Sequence, residues 1–194
     1  MDVVRIRFAE LKVILPEFEE ISAFAITSAA QLIANTFKSG HKILICGNGG
    51  SAADAQHLAA EFVNSMSKDI ERTGLPAISL STDSSIITAV ANDRDFSQIF
   101  SRQVEALGNR DDVLVIFSTS GESKNCINAL RLAKNKGLKT ILFTGRESSI
   151  SKQASISIQV PTSNTQHIQE FHVIAYHIMV ELVENILYKG LLIK

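Results

Sequence analysis

The stretch Ile43-Leu44-Ile45-Cys46-Gly47-Asn48-Gly49-Gly50-Ser51 constrains this chain more than any other. Four apolar residues in a row suit a strand covered on both faces, as in a parallel sheet. Three glycines then fall within four positions and let the backbone approach a ligand closely. A helix opening at Ser51 would aim unpaired N–H groups and a positive dipole end at that ligand. Such a place favours an anion, most often phosphate, with a purely structural tight turn as the alternative. Residues 47–52 also fit G-x-G-x-x-A, but the acidic residue needed about 20 positions on to hold a ribose is absent. No G-K-[ST] follows the turn, so neither a dinucleotide fingerprint nor an ATP-type loop is supported.

On the helix after the turn, His57 and Glu61 stand four residues apart and share one face. They fit a metal-ligand pair, a base with its partner, or a plain solvated face. The third strand, at 112–117, runs into Ser118-Thr119-Ser120-Gly121-Glu122-Ser123 and another helix, repeating the first arrangement. This neutral, hydroxyl-rich turn can donate many hydrogen bonds to one phosphate, or serve as an ordinary helix cap.

The remaining segments fill in one α/β domain. Residues 2–15 and 17–39 read as two helices separated by Pro16, with Gly40 as the stop. A short strand at 76–80 leads to a cap at Asp83, and Asn92 and Asp93 fall in a loop before a helix at 96–107. Further strands at 140–144 and 156–160 and a long helix at 165–188 complete the pattern. Strands alternating with helices predict a doubly wound five-stranded parallel sheet, with ligands at the carboxyl ends of the strands near a reversal of strand order. The domain divides into N-terminal helices (1–39), an α/β core (40–164) and a C-terminal helix (165–190). On that last, nearly all-apolar helix, Gln169 and His177 share a broad face.

Bulk properties exclude several functions. With 19 basic and 20 acidic residues in 194, the chain has no electrostatic footprint for nucleic acid. No apolar span suits a membrane, and the two cysteines, Cys46 and Cys126, sit in apolar contexts, which suggests a reduced, cytoplasmic protein.

Taken together, residues 46–51, Asp54-Ala55-Gln56-His57 with Glu61, residues 118–123, and Ile168-Gln169-Glu170 with His177 resemble the sugar isomerase (SIS) domain family over almost the whole chain. The resemblance implies a flavodoxin-like fold and a homotetrameric aldose–ketose isomerase with active sites shared between subunits. Its reaction would interconvert sedoheptulose 7-phosphate and D-glycero-D-manno-heptose 7-phosphate for lipopolysaccharide heptose synthesis. By motif position, Ser51, Ser118, Thr119, Ser120 and Ser123 would hold the phosphate, and Asn48, Gly49, Gly50, Asn92, Asp93 and Gln169 would line the sugar. Glu61 and His177 match the catalytic pair, and His57, Glu61, Gln169 and His177 match zinc ligands described for some members. Moving a proton between C1 and C2 through an enediol does require a base at carbon and a group serving the oxygens, which a carboxylate and an imidazole supply near neutral pH.

The chain departs from the family pattern at Asn64-Ser65-Met66, at Gln166-His167 and at residues 145–149, which keeps another ketose phosphate open. A non-enzymatic relative that binds the replication initiator protein lacks groups matching Glu61 and His177, so their presence favours an enzyme. A sugar-phosphate-sensing regulator would carry a DNA-binding segment, for which this length leaves no room. Because one small domain covers the C-terminal helix poorly, His177 is expected to reach Glu61 of a neighbouring chain.

Overall fold

The computed structural model describes residues 2–66, 71–146, 148 and 150–188. Positions 189 and 190, assigned above to the C-terminal helix, and Glu147 and Ser149 of the divergent stretch lie outside the described residues. The elements run α1 (Val3–Lys38), β1 (Ile43–Gly47), α2 (Gly50–Val63), β2 (Ala77–Ser79), α3 (Ser84–Asp93), α4 (Ile99–Leu107), β3 (Val113–Phe117), α5 (Lys124–Asn135), β4 (Lys139–Thr144), β5 (Ile156–Gln159) and α6 (Thr165–Tyr188).

All five strands are parallel, in the order β2-β1-β3-β4-β5. This is the flavodoxin-like order, with its reversal between β1 and β3. The unbroken apolar runs of β1 and β3 are buried on both faces because helices cover both. Within each run alternate side chains part company: Ile43, Ile45, Val115 and Phe117 pack towards α1, α2 and α6, whereas Leu44, Cys46, Leu114 and Ile116 pack towards α4 and α5. The carboxyl ends of β1 and β3 therefore lie side by side, and both of the polar turns picked out from sequence emerge there.

Two local expectations are corrected. Pro16 does not divide the N-terminal region, because α1 continues through it. Proline forfeits one hydrogen bond at that point, but Pro16 is solvent-exposed and water can take over the carbonyl it frees. The apolar stripe of Phe18, Ile26, Ala30 and Ile33 beyond it is buried against the core, and that packing outweighs the local break. Asn92 and Asp93 are not in a loop but in the last turn of α3, a helix capped by Asp83, whose carboxylate accepts from the Ile86 N–H at 2.9 Å.

Candidate functional site

Gly47 ends β1, and the chain doubles back so tightly that a Cβ there would lie 2.3 Å from the Ser51 carbonyl oxygen. Gly49 follows with φ of 58°, in the left-handed region open to glycine, and caps α2. At Gly50 a Cβ would fall 2.6 Å from Nε2 of Gln169. The Gln169 carboxamide thus lies directly on the opening turn of α2.

Further along the same two helices, His57, Glu61 and His177 converge, their ligand atoms all within 4.8 Å of one another. Nε2–H of His57 donates to Glu61 Oε1 at 2.9 Å, and the His57 and His177 rings stand 5.1 Å apart, edge to face. Contacts at Gly50–Gln169 and then at His57–His177 mean that α2 and α6 run side by side in the same direction through the site. Desolvation, followed by the neighbouring His57, holds the His177 pKa below its ordinary value against the opposing pull of Glu61, so its imidazole is neutral near pH 7. The expectation that His177 reaches Glu61 of another chain is overturned: the two meet within one chain, because α6 packs on α2 of its own domain.

The second turn is stitched by Gly121 N–H donating to the Ser118 carbonyl at 3.0 Å, with Gly121 at φ of 66°. Among the described residues, Ser118 Oγ is buried without a partner. Thr119 and Ser120 line a cleft of about 300 Å³ with Arg146, Thr162 and Ser163. Arg146 supplies the positive charge that the neutral turn lacks, and it was read from sequence only as part of a divergent stretch. Ser123 opens α5 and borders a different cleft of about 370 Å³ together with Asn48, Phe96 and Asn125.

Asn48 and Asn125 exchange two amide hydrogen bonds, Asn48 Nδ2 to Asn125 Oδ1 at 3.0 Å and Asn125 Nδ2 to Asn48 Oδ1 at 2.8 Å, which tie the glycine turn to the start of α5. Asn92 and Asp93 are exposed and bonded to each other at 2.8 Å. No hydrogen bond or ring contact among the described residues joins them to the trio. At the divergent Gln166-His167 pair, Gln166 is exposed and His167 bonds Glu10 and Glu170 on the α1 side.

Asp54 was read from sequence only as part of a motif, and Tyr176, Arg72 and Glu184 escaped that reading. Asp54, one turn before His57, has Oδ2 buried without a partner among the described residues, and burial raises its pKa to about 6. The Tyr176 hydroxyl meets His57 Nδ1 at 2.8 Å. Arg72 donates to the carbonyls of Glu61 (2.7 Å) and Phe62 (2.8 Å) at the end of α2 and through Nε to Glu184 of α6 (2.8 Å). A buried Arg–Glu pair linking the two site-bearing helices carries no local signature in sequence.

The donor set suits a divalent metal such as zinc. Two imidazoles and a carboxylate are a donor set that zinc takes, and ligand atoms this close need only a small contraction to reach bonds of about 2 Å.

The SIS domain family matches residues 8–145 of the chain. A phosphoheptose isomerase of Thermodesulfovibrio yellowstonii is 46% identical over 97% of this chain and 93% of its own length. The solved phosphoheptose isomerase of Neisseria gonorrhoeae superposes with a TM-score of 0.87 at 39% identity, over 94% of this chain and 97% of that one. That of Francisella tularensis gives 0.89 at 35% identity, over 94% and 96%. The chain belongs to the SIS domain family. Its likeness to phosphoheptose isomerases extends through almost its whole length, in sequence and fold alike.

Proposed function

We propose that this chain is an aldose–ketose isomerase interconverting sedoheptulose 7-phosphate and D-glycero-D-manno-heptose 7-phosphate, in the supply of heptose for lipopolysaccharide. The observation that carries the reading is the meeting of Glu61 and His177 in one cluster beside His57, with polar turns opening at the adjacent ends of β1 and β3. Relatives named phosphoheptose isomerase support the sugar class.

In this reading Ser118, Thr119, Ser120, Ser123 and Ser51 bind the phosphate, with Arg146 adding charge. Asn48, Gly49, Gly50, Asn92, Asp93 and Gln169 line the sugar. Glu61 takes the proton from one carbon of the open-chain sugar and returns it to the next, and the neutral His177 imidazole moves the proton between the two oxygens. His57, Glu61 and His177, with Gln169 above Gly50, would hold a zinc ion. When bound, the ion would polarise the substrate carbonyl as a Lewis acid.

We further propose a cytoplasmic homotetramer, assembled through the exposed apolar residues Leu15, Ile21 and Phe24 of α1 and Ile174 and Ile178 of α6. Any sharing of sites between subunits is then carried by groups other than the Glu61–His177 pair. Among the described residues no helix is long and apolar enough to cross a membrane.

The test incubates the protein with ketose 7-, 6- and 5-phosphates and follows new aldose by NMR. Turnover of sedoheptulose 7-phosphate alone is expected. Glu61→Gln should reduce it by at least about two orders of magnitude, the scale of a lost general base, while sugar phosphate still binds. Retained turnover in that variant refutes the role of Glu61. No turnover of any ketose by the parent protein refutes the isomerase reading in favour of a binding role.

A further inference from the structure

His57 is the most exposed member of the cluster, its side chain 46% accessible against 17% for Glu61. An imidazole so placed on a helix surface is free to sample several rotamers unless something pins it. Glu61 pins one edge, at Nε2, and Tyr176 the other, at Nδ1. Tyr176 is itself fully buried, its ring set edge-on to Phe117 (centroids 5.9 Å), His57 (5.4 Å) and His177 (4.9 Å). The phenol therefore has no freedom to follow a wandering imidazole.

We propose that Tyr176 is a positioning residue for His57, holding the ring in place and governing which nitrogen it presents to Glu61 and His177. This rests on the reading of the cluster given above. Glu61 as a carboxylate only accepts, so Nε2 carries the proton, and the Nδ1 lone pair of the neutral ring accepts from the Tyr176 hydroxyl. If Nε2 is instead to offer its lone pair to a metal, the proton must sit on Nδ1 and the partner there must accept. A hydroxyl can do either by rotating about its C–O bond, whereas a backbone carbonyl or carboxylate can only accept and a phenyl ring can do neither. Tyr176 can thus serve both tautomers without moving the ring.

The variant is Tyr176→Phe, which removes one oxygen and leaves the packed ring. In metal-free protein with 15N-labelled histidine, the His57 Nδ1 resonance should move as its hydrogen bond is lost. Zinc affinity, measured by competition with a chromophoric chelator, should fall roughly 10- to 100-fold, the usual effect of losing the group behind a metal-ligating histidine. The kcat should fall with it while KM for sugar phosphate stays within about twofold, since no phosphate contact is touched, a split that mere loosening of the fold would not produce. An unchanged Nδ1 resonance overturns the proposal. Should the parent protein take up no zinc, the metal reading fails, and the metal-free spectrum still decides the role of Tyr176. Should the variant not fold, the unaltered protein decides. Its Tyr176 hydroxyl proton must exchange slowly and show coupling across the hydrogen bond to His57 Nδ1, and absence of that coupling overturns the proposal.

Discussion

Replacing Glu184 by alanine should be among the most damaging single changes away from the cluster. The side chains of Arg72 and Glu184 are 0% and 1% exposed, and the carboxylate is 2.8 Å from Arg72 Nε. Arg72 also donates to the carbonyls of Glu61, Phe62 and Thr73, so the guanidinium cannot withdraw to water without uncapping α2. Among the described residues, removing the carboxylate leaves a buried cation facing carbonyl dipoles alone. Losing one partner of such a pair costs about 3–5 kcal/mol. At roughly 2–4 °C per kcal/mol for a chain of this size, the melting temperature should fall by about 6–20 °C. Urea titration checks the free energy directly, and an unchanged m value would show that the native and unfolded ensembles keep their extent. The double variant Arg72→Met with Glu184→Met should recover most of the loss, because no charge is then left buried. A Glu184→Ala loss below about 1 kcal/mol, the value of a surface pair, would refute the claim that the charge is held out of water.

Two further outcomes follow from the same geometry. His172 is buried with its pKa depressed to about 4, burial being the main cause against a weak bond to the Thr144 carbonyl. A depressed folded pKa gives stability that is fully present above the unfolded value of 6.5 and lost as pH falls towards 4, about 3 kcal/mol in all. Asp54 is shifted the other way over much the same window, so the measurement is the difference between parent and His172→Gln proteins in urea at each pH. That difference should shrink steadily from pH 6.5 to pH 4, and a constant difference would contradict the assignment. Gly50→Ala should leave the melting temperature nearly unchanged, since the residue has ordinary backbone angles and the atoms it meets belong to the flexible end of Gln169. Displacing that carboxamide should nevertheless lower turnover at least about tenfold, measured by the NMR assay, if Gln169 serves substrate or metal.

The sheet and both polar turns could be read from the sequence because their signals are local: a run of apolar residues, a glycine cluster, a cap. Pro16 misled because a local penalty was weighed without the packing of Phe18 and Ile33 that overrules it. The cluster itself was half legible. Spacing put His57 and Glu61 on one face, but whether His177 joined them within the chain or across a subunit boundary depended on where α6 docks. Tyr176, Arg72 and Asn125 stayed hidden because their partners lie 119, 112 and 77 residues away, a separation no periodicity encodes.

A helix of 36 residues such as α1 extends for about 54 Å. A globule of this chain length has a radius of gyration near 16 Å. The rod is therefore longer than the body that supports it, and the burial pattern shows which end overhangs. Val3, Val4 and Phe8 are more than half exposed, and the first fully covered side chains come only from Phe18 onward. Before Glu10, whose carboxylate bonds His167 of α6, helicity in the overhang depends on the Asp2 cap, the Arg7–Glu10 pair and propensity, each worth about 1 kcal/mol or less. In the isolated subunit, amide hydrogens along this single helix should exchange on a gradient, within seconds to minutes near Val4 and only by global unfolding between Ala29 and Ala34. One continuous helix thus contains an outer end held by local contacts and a rigid inner one, with the Glu10–His167 bond at the junction.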